Sequence, residues 1–481
     1  MIEKRQFYIN GNWSDPATPS DYQVIDPSTE EPCAVISLGG QADTNAAVDA
    51  AKAAFPEWMN TSPAQRIALV EKLQKVYDAR AEDMAQAISL EMGAPIDLAR
   101  QQQAAAGSGH IAAFIDAAKE YEFEHPHDPN TPGSYIRNEP IGVAALITPW
   151  NWPMNQVTLK VIAAAVAGCT MVLKPSEESP LSAMVFAEMM DEAGFPPGVF
   201  NLINGDGAGV GTQLTEHPDV DMVSFTGSSR AGKLISKAAA DSLKRVSLEL
   251  GGKGANLIFA DADDDAVERG VLHCMNNSGQ SCNAPTRMIV QQEIYDKAVE
   301  TATKVAESIK VGPASEEGDH IGPVVNKVQF DKIQDLIQKG IDEGARLVAG
   351  GTGRPDGLNR GFYVKPTIFA DVNNNMIVAR EEIFGPVLSI IPFDTEEDGI
   401  SIANNTPYGL TDYLQTQDPA RAARVARALR AGMVEVNGKS RGAGAPFGGM
   451  KQSGNGREGG AWGIEDFIEV KSVSGYDPAA A

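Results

Sequence analysis

The sequence predicts an α/β protein made of two doubly wound parallel-sheet domains and a small β arm. Three observations carry this. At 481 residues the chain exceeds what one ordinary core accommodates, so two large domains with an appendage are expected. From residue 142 short apolar segments alternate with amphipathic helical ones: GVAALITPW, a helix near 156–168, MVLKPS, a helix from Pro180, VFNLIN, a helix near 208–216 and DMVSFTG. Short apolar strands between such helices belong to parallel sheets covered on both faces. A second series starts near 252, with YDKAVETATKVAESI (295–309) as a helix and PVLSIIPF (386–393) and GMVEVN (432–437) as strands. Both series read as Rossmann-like, and the first as a nucleotide-binding architecture.

From the N-terminus, residues 7–36 alternate short extended runs with the turns INGNW and DPSTEEP, which reads as an edge hairpin laid on a larger body. Ser62-Pro63-Ala64-Gln65 is a capping-box start with proline in the first turn, and Leu69, Leu73 and Val76 then fall on one helix face. Gly93-Ala94-Pro95 stops that helical region, and a third helix is expected near 98–119. The prolines of YEFEHPHDPNTPGSYIRNEPIG (121–142) break the pattern; the segment reads as a strand-rich arm leaving the main body, with FIEVKSVSGY (467–476) as its second strand. The expected limits are 1–121 with 141–251 for the first domain, 252–452 for the second, and 122–140 with 467–481 for the arm.

With 40 basic against 64 acidic residues the formal charge is −24, which disfavours nucleic acid and anionic membrane as partners, since both demand a basic surface. An apolar share of 43% and a charged share of 22% are those of a soluble globular protein. No run approaches the ~20 apolar residues of a membrane span, and the start MIEKRQFYINGNW has no apolar signal core. Cys33, Cys169, Cys274 and Cys282 lie far apart without CxxC or Cys/His clustering, so neither a disulfide framework nor a metal site is expected. The histidines are scattered, and His125 and His127 sit in a Pro-rich turn that reads as exposed linker. A reducing, cytoplasmic setting is the expectation.

Cys282 lies in NNSGQSCNAPTR (276–287), between a helix expected at 265–277 and a strand at 286–292. Free cysteines usually sit among apolar neighbours, whereas Gly279, Gln280, Ser281 and Asn283 are small or polar, and the polar ones need hydrogen-bond partners. That favours a reactive thiol, although an inert buried Cys fits the same string. In VSLELGGKGANLIF (246–259) a strand delivers Glu249 to the Gly251-Gly252 turn, which suits a base that must be approached closely; a solvated strand-end Glu is the plainer reading. In ITPWNWPMNQ (147–156) Asn151 stands between two tryptophans and a proline, so its amide is fixed to face a developing oxyanion, or else it caps a turn.

Together these strings resemble the NAD(P)-dependent aldehyde dehydrogenase superfamily. The resemblance runs from about residue 7 to 475 through PWNWP (149–153), LKPSE (173–177), FTGS (225–228), LELGGK (248–253), GQSC (279–282), EEIFGPV (381–387) and PFGG (446–449), all in the family's order. It implies an oxidoreductase that converts an aldehyde to the acid. Cys282 attacks, Asn151 and the Cys282 N–H hold the oxyanion, hydride passes to NAD, and Glu249 is the base that hydrolyses the thioester. Lys160 matches a lysine of the family pattern and is a candidate in a proton relay. The first domain is then the NAD-binding one and the second the catalytic one, and the arms imply a homodimer or homotetramer.

NGDGAGVGT (204–212) fails G-x-G-x-x-G because Thr212 stands where the third glycine would fall, so the usual dinucleotide fingerprint is absent. FTGSSRAG opens a helix directly after a strand; helix-terminal N–H groups suit a pyrophosphate, a contact the resemblance gives to Gly227 and Ser228. Lys174 and Glu177 follow the strand MVL at its carboxyl end, where ribose-binding groups belong. A carboxylate there would repel a 2′-phosphate, so NAD is favoured over NADP. By resemblance Glu382 and Phe384 meet the nicotinamide ribose and ring, and Thr148, Trp150, Ser176, Gly207, Gly211, Phe225, Thr226 and Leu250 complete the cofactor set.

The family register puts Trp152, Asn155, Gln156, Asn276, Ser281, Asn283, Arg441 and Phe447 at the pocket mouth, a more polar set than the aromatic tunnel of relatives that take simple aliphatic aldehydes. Lys439 and Arg441 in NGKSRGAGAP point to an aldehyde with a carboxylate or other polar tail, such as a semialdehyde; equally, both side chains face solvent from a glycine-rich loop. A CoA-acylating or NADP-preferring enzyme and a catalytically idle NAD-binding structural protein are the alternatives. Glu249 argues against the first, which needs no water-activating carboxylate, and joint retention of Cys282, Glu249 and Asn151 argues against the scaffold.

Overall fold

The computed structural model describes residues 1–128, 130–475 and 477. One seven-stranded sheet runs Arg245–Glu249, Met222–Thr226, Val143–Ile147, Thr170–Lys174, Phe200–Leu202, Phe7–Ile9, Asn12–Ser14. Its first five strands are parallel and the last two form an antiparallel hairpin at the edge. The expected N-terminal hairpin is therefore confined to this pair. Asp21–Asp26 and Glu31–Ser37 instead pair with Ile2–Lys4 in a separate three-stranded sheet. Pro16 and Pro19, between the two, lack the N–H groups a continuous ladder would need.

From Val143–Ile147 the chain steps outward through Thr170–Lys174 to Phe200–Leu202, then returns on the other side as Met222–Thr226 and Arg245–Glu249. The order reverses beside Val143–Ile147. Open α/β sheets bind ligands at the carboxyl ends flanking such a switch point. The second seven-stranded sheet runs Arg346–Ala349, Thr367–Ala370, Val387–Phe393, Arg287–Gln291, Ala255–Ile258, Thr411–Gln415, Met433–Val436, parallel except at the Arg346–Ala349 edge. Both doubly wound sheets are those the alternation predicts.

Helix Pro153–Ala167 is buried almost throughout, its alanines letting Pro63–Ala79 and Ala105–Glu120 pack closely on it. It begins three residues before the expected 156 because Pro153 takes the first-turn position that proline favours. On Pro63–Ala79 the buried face is Arg66, Val70, Leu73 and Tyr77, leaving Leu69 and Val76 half-buried. The expected stripe is thus offset, because Arg66 turns inward to donate to the carbonyl of Val166 at 2.9 Å.

The third helix departs more. Ile96–Leu98 leads into a π-helical stretch, Ala99–Ala104, before Ala105–Glu120 resumes the α register. The Tyr77 hydroxyl donates to the Ala104 carbonyl at 2.9 Å. Gly107 makes that room, since a Cβ there would lie 2.2 Å from the hydroxyl oxygen. Ser134–Pro140 pairs antiparallel with Glu124–Pro126 and with Ile468–Ser474 in a third small sheet. Residue 476 of the expected second arm strand, and 478–481 of the expected arm, lie outside the described residues.

Candidate active site

The loops after Val143–Ile147, Met222–Thr226 and Arg245–Glu249 meet the Cys282 segment around a cleft of about 220 Å³, at the switch point. Asn151 enters from the first loop, Gly227 and Ser228 from the second, Glu249 and Leu250 from the third. Cys282, Glu382 and Phe384 close the far side. Three side chains far apart in sequence, Cys282, Glu249 and Asn151, thus face one cavity.

The chain reaches Cys282 through strained backbone. Helix Ala266–Met275 stops short of the expected 277, and Asn277, Ser278 and Gly279 are all left-handed, with φ of 52°, 56° and 72°. Non-glycine residues pay of order 1–3 kcal/mol each for this, so their surroundings must hold them. Ser278 donates its hydroxyl to the Gly322 carbonyl at 2.7 Å, and Gln280 accepts the Val325 N–H at 2.9 Å. At Gly279 a Cβ would lie 2.0 Å from the Gly385 oxygen, so space as well as φ demands glycine. The pair after Glu249 serves approach: a Cβ on Gly252 would lie 2.3 Å from the Cys282 carbonyl, and one on Gly251 2.3 Å from Glu382.

Cys282 is half-buried against Leu410, Met433 and Phe447. Burial, then the carboxylates of Glu382, Glu249 and Glu458, push its thiol well above the ordinary range, against a pull from its own backbone N–H. Glu249 is 2% exposed, and neither of its carboxyl oxygens has a partner. Burial first and repulsion from Glu458 second raise its pKa well above the carboxylate range, with Lys160 and Arg457 opposing. Only glycine at 448 and 456 leaves it room, since a Cβ at either would come within 2.7 and 2.9 Å of Oε1. Lys160 forms a buried ion pair with Glu458, whose second oxygen has no partner.

Asn151 Nδ2 donates one N–H to the Gln280 carbonyl at 3.0 Å, leaving the second for the cleft. The bulky neighbours expected to fix it do not. Trp152 turns away to donate to the Ser281 hydroxyl at 2.7 Å, while the Asn151 carbonyl is gripped by the amides of Gln103 and Asn277 at 3.2 and 2.9 Å.

On the cofactor side, Ser228 caps helix Ser229–Ala240 by accepting the Ala231 N–H at 3.2 Å, and Gly227 donates its N–H to the Glu249 carbonyl at 3.0 Å. The Thr226 hydroxyl is buried without a partner. The Phe225 ring fills the space behind Gly227, where a Cβ would lie 2.5 Å from it. Trp150 meets Phe384 edge-on, ring centroids 5.4 Å apart. Phe384 is itself left-handed, held by Gln329 donating to the carbonyls of Ile383 and Phe384 at 3.0 and 2.8 Å. Glu382 accepts the Gly252 N–H at 2.8 Å, and burial raises its pKa.

Thr148, Lys174, Ser176 and Glu177 gather at the carboxyl ends of neighbouring strands, beside the cleft but not lining it. Lys174, expected toward a ribose, is buried and donates to the carbonyls of Pro175 and Gly205 at 2.8 and 2.5 Å, reaching Glu177 at 3.4 Å. Glu177 keeps a partly exposed carboxylate. Gly207 and Gly211 lie in a π-helical turn capped by Asp206, and a Cβ at Gly211 would lie 4.0 Å from Lys174.

A second cavity, about 240 Å³, is lined by Phe447 together with Asn155, Arg441, His110 and Glu458. The Arg441 guanidinium stacks 4.9 Å above the Phe447 ring and donates to the Ala445 carbonyl at 3.3 Å. His110 pairs with Asn155 at 2.7 Å, and burial lowers its pKa. The remaining expected mouth residues scatter. Gln156 is buried with its oxygen unpartnered, Asn276 donates to Gln102 at 2.9 Å in a separate groove, and Asn283 gives its carbonyl to the Tyr413 hydroxyl at 2.7 Å. Lys439 is exposed and lines neither cavity.

The aldehyde dehydrogenase family model matches residues 13–473. The chain belongs to the aldehyde dehydrogenase family. It is 49% identical over 479 residues to 3-succinoylsemialdehyde-pyridine dehydrogenase of a Pseudomonas species, covering 99% of this chain and 100% of that protein. The crystal structure of an aldehyde dehydrogenase from Bartonella henselae superposes with a TM-score of 0.98 at 61% identity, over 99% of this chain and 100% of that one. An aldehyde dehydrogenase C mutant from Pseudomonas syringae, in complex with NAD+ and octanal, gives 0.96 at 48% identity, over 98% and 97%.

Several residues around the cavities of this aldehyde dehydrogenase escape sequence reasoning. Gln329 and Lys332 line the cleft from helix Lys327–Asp342, where they read as ordinary helix surface. His110 reads as one scattered histidine and Glu458 as a loop charge in NGREGG; no local pattern marks either. Among the described residues no group of three or more His, Cys, Asp or Glu could hold a metal ion, and no helix is long and apolar enough to cross a membrane.

Proposed function

We propose that this aldehyde dehydrogenase oxidises an aldehyde to the free carboxylic acid with NAD, through a thioester on Cys282 that Glu249 hydrolyses. The observation that carries the reading is Glu249 itself: a buried, unpartnered carboxyl on the same cleft as Cys282, with its pKa raised toward the working range of a general base. Acyl transfer to CoA has no use for it, and neither has a structural scaffold.

The cleft fits the cofactor. Helix-start N–H groups at Ser228 suit a pyrophosphate, the Thr226 hydroxyl has no protein partner, and Glu177 would repel a 2′-phosphate. The relative bound to NAD+ and octanal supports the same cofactor here. When bound, NAD supplies the oxidised nicotinamide that takes up the hydride. The chain's own groups do the rest. The Cys282 sulfur, its proton given up to water in the cleft, bonds to the aldehyde carbon as the C=O π pair moves onto oxygen, and the oxygen left negative is held by the free N–H of Asn151 and the Cys282 N–H. Glu249 later takes a proton from the water that attacks the thioester, and the C–S bond breaks to release the acid. The buried Lys160–Glu458 pair, coupled to Glu249 by charge, is the route by which that proton leaves.

On this reading 1–121 with 141–251 bind NAD, 252–452 carry the chemistry, and 122–140 with 467–481 pair subunits in a homodimer or homotetramer. The break at 251 is supported by sheet membership, Arg245–Glu249 lying in one sheet and Ala255–Ile258 in the other. Pairing is supported by the edge strand Ile468–Ser474, on which Val470 is 69% exposed. The four unpaired thiols fit a reducing, cytoplasmic setting. Arg441 beside the second cavity, and a relative named for a semialdehyde, support a substrate with a polar or carboxylate tail.

Purified protein with NAD and a panel of aldehydes, with and without CoA, tests the proposal. NADH and free acid without CoA are expected; NADH that appears only with CoA would overturn it.

A further inference from the structure

We infer that Gln103 and Asn277 are positioning residues for the oxyanion donor, a buried amide cluster that sets the direction in which Asn151 presents its second N–H to the cleft. The inference rests on reading Asn151 as that donor. Asn277 Nδ2 donates to the carbonyl of Asn151 at 2.9 Å and to that of Gln280 at 3.3 Å. The Gln280 carbonyl is also the one that takes the first Asn151 N–H, at 3.0 Å. One amide therefore pins both ends of the lever: the backbone from which the Asn151 side chain springs, and the acceptor that fixes its rotation. The two N–H bonds of an amide are coplanar and about 120° apart, so fixing one aims the other. Gln103 closes the cluster by donating to the Asn151 carbonyl and to Asn277 Oδ1, each at 3.2 Å.

Packing alone does not account for these residues. Gln103 is fully buried beside Met92 Sδ at 3.5 Å, where an apolar side chain would fit, and its own oxygen has no partner. A buried unpaired amide oxygen is destabilising, so a purely structural position would favour Met or Leu. Both amides are also delivered by irregular backbone, Gln103 by the π-helical stretch Ala99–Ala104 and Asn277 by a left-handed φ of 52°. Such irregularities concentrate where a side chain must be aimed.

The test is a double-mutant cycle on the full chain, read as single-turnover NADH formation at saturating NAD and aldehyde, with steady-state KM measured alongside. Asn151→Ala is expected to slow the reaction about 10²–10³-fold. Gln103→Met is expected to slow the parent enzyme about 10- to 100-fold with both KM values within about twofold, and to slow the Asn151→Ala enzyme by less than about twofold. Equal losses in the two backgrounds, or no loss in the parent, overturn the inference. No loss from Asn151→Ala itself overturns the oxyanion reading beneath it instead. If Gln103→Met fails to fold, Asn277→Asp keeps the shape and the tolerance for left-handed backbone while removing both donors, and the same cycle decides.

Discussion

The cleft at Cys282 and the chamber at Arg441 are nearly equal in volume, about 220 and 240 Å³, but they differ in what their walls lack. The cleft is lined by Glu249 with both oxygens unpartnered and by Thr226 with a bare hydroxyl. In the chamber, apart from one oxygen of Glu458, the polar groups partner one another: His110 with Asn155, and Arg441 with the Phe447 face and the Ala445 carbonyl. Buried groups left unpaired are unstable unless a partner arrives, so the cleft is shaped for species that come and go during a reaction. The chamber offers instead one cation held by a single long hydrogen bond, Arg441, which suits holding a substrate tail rather than reacting.

If that contrast holds, the largest losses come from the cleft. Cys282→Ala is expected to lower turnover by about 10⁴-fold or more while NAD binding, followed by fluorescence quenching, persists. Glu249→Gln is expected to slow steady-state turnover by about 10²–10⁴-fold and to leave a burst of one NADH per subunit, because acylation survives and hydrolysis does not. A turnover loss without the burst would move Glu249 out of the hydrolytic step.

The raised pKa of Glu249 gives this comparison a pH axis. A general base works only when ionised, and burial with repulsion from Glu458 keeps this one protonated above the usual range, so hydrolysis in the parent enzyme speeds up as pH rises and Glu249 loses its proton. In Glu249→Gln that limb disappears. Stability runs the opposite way. The folded state holds this proton more tightly than the unfolded chain, so the stabilisation is complete below the ordinary glutamate value of 4.5 and is lost as pH rises through the folded pKa. Thermal melts should therefore find Glu249→Gln more stable than the parent at alkaline pH and close to it at pH 4.

A smaller effect is expected at the cofactor's far end. Glu177→Ala should narrow the preference for NAD over NADP by about tenfold, measured as the ratio of kcat/KM values, by removing the charge that repels a 2′-phosphate. An unchanged ratio would mean that Glu177 does not meet the ribose.

The same contrast governs what the sequence makes legible. The cleft is built from the ends of three strands adjacent in one sheet, so FTGS and LELGGK each carry a strand end, its turn and its functional residue in one string, and PWNWP carries the loop after Val143–Ile147 with Asn151 in it. The parallel, doubly wound sheet follows from the same pattern, whereas its strand order and the reversal beside Val143–Ile147 depend on contacts distant in sequence. The chamber is assembled from faces of two helices, Ala105–Glu120 and Pro153–Ala167, and a glycine-rich loop, where His110, Asn155 and Arg441 sit at spacings that any solvated surface would show. Gln103 is hidden for another reason: the π-helical stretch shifts the register by which a helical face is read. Lys174 misleads because a lysine at a strand end reads as a ligand group, whereas carbonyls of the adjoining turns satisfy it.

The chamber side gives the smallest effects and the sharpest test of recognition. Arg441 is held by stacking on Phe447 and one long bond to a carbonyl, and its nearest carboxylate, Glu435, is 3.9 Å away, so no close ion pair neutralises it. Burial lowers its pKa without removing its charge at neutral pH. A carboxylate tail reaching the chamber would replace that long carbonyl contact with a charge-assisted pair. Arg441→Ala is then expected to cost acidic aldehydes about tenfold in kcat/KM and neutral ones of equal length less than about twofold. Lys439→Ala, on the same loop and exposed like Arg441 but lining neither cavity, should leave both series unchanged, which separates a local contact from the general charge of the loop. Equal losses for acidic and neutral aldehydes on removing Arg441 would make the guanidinium a lid over Phe447 rather than an anchor.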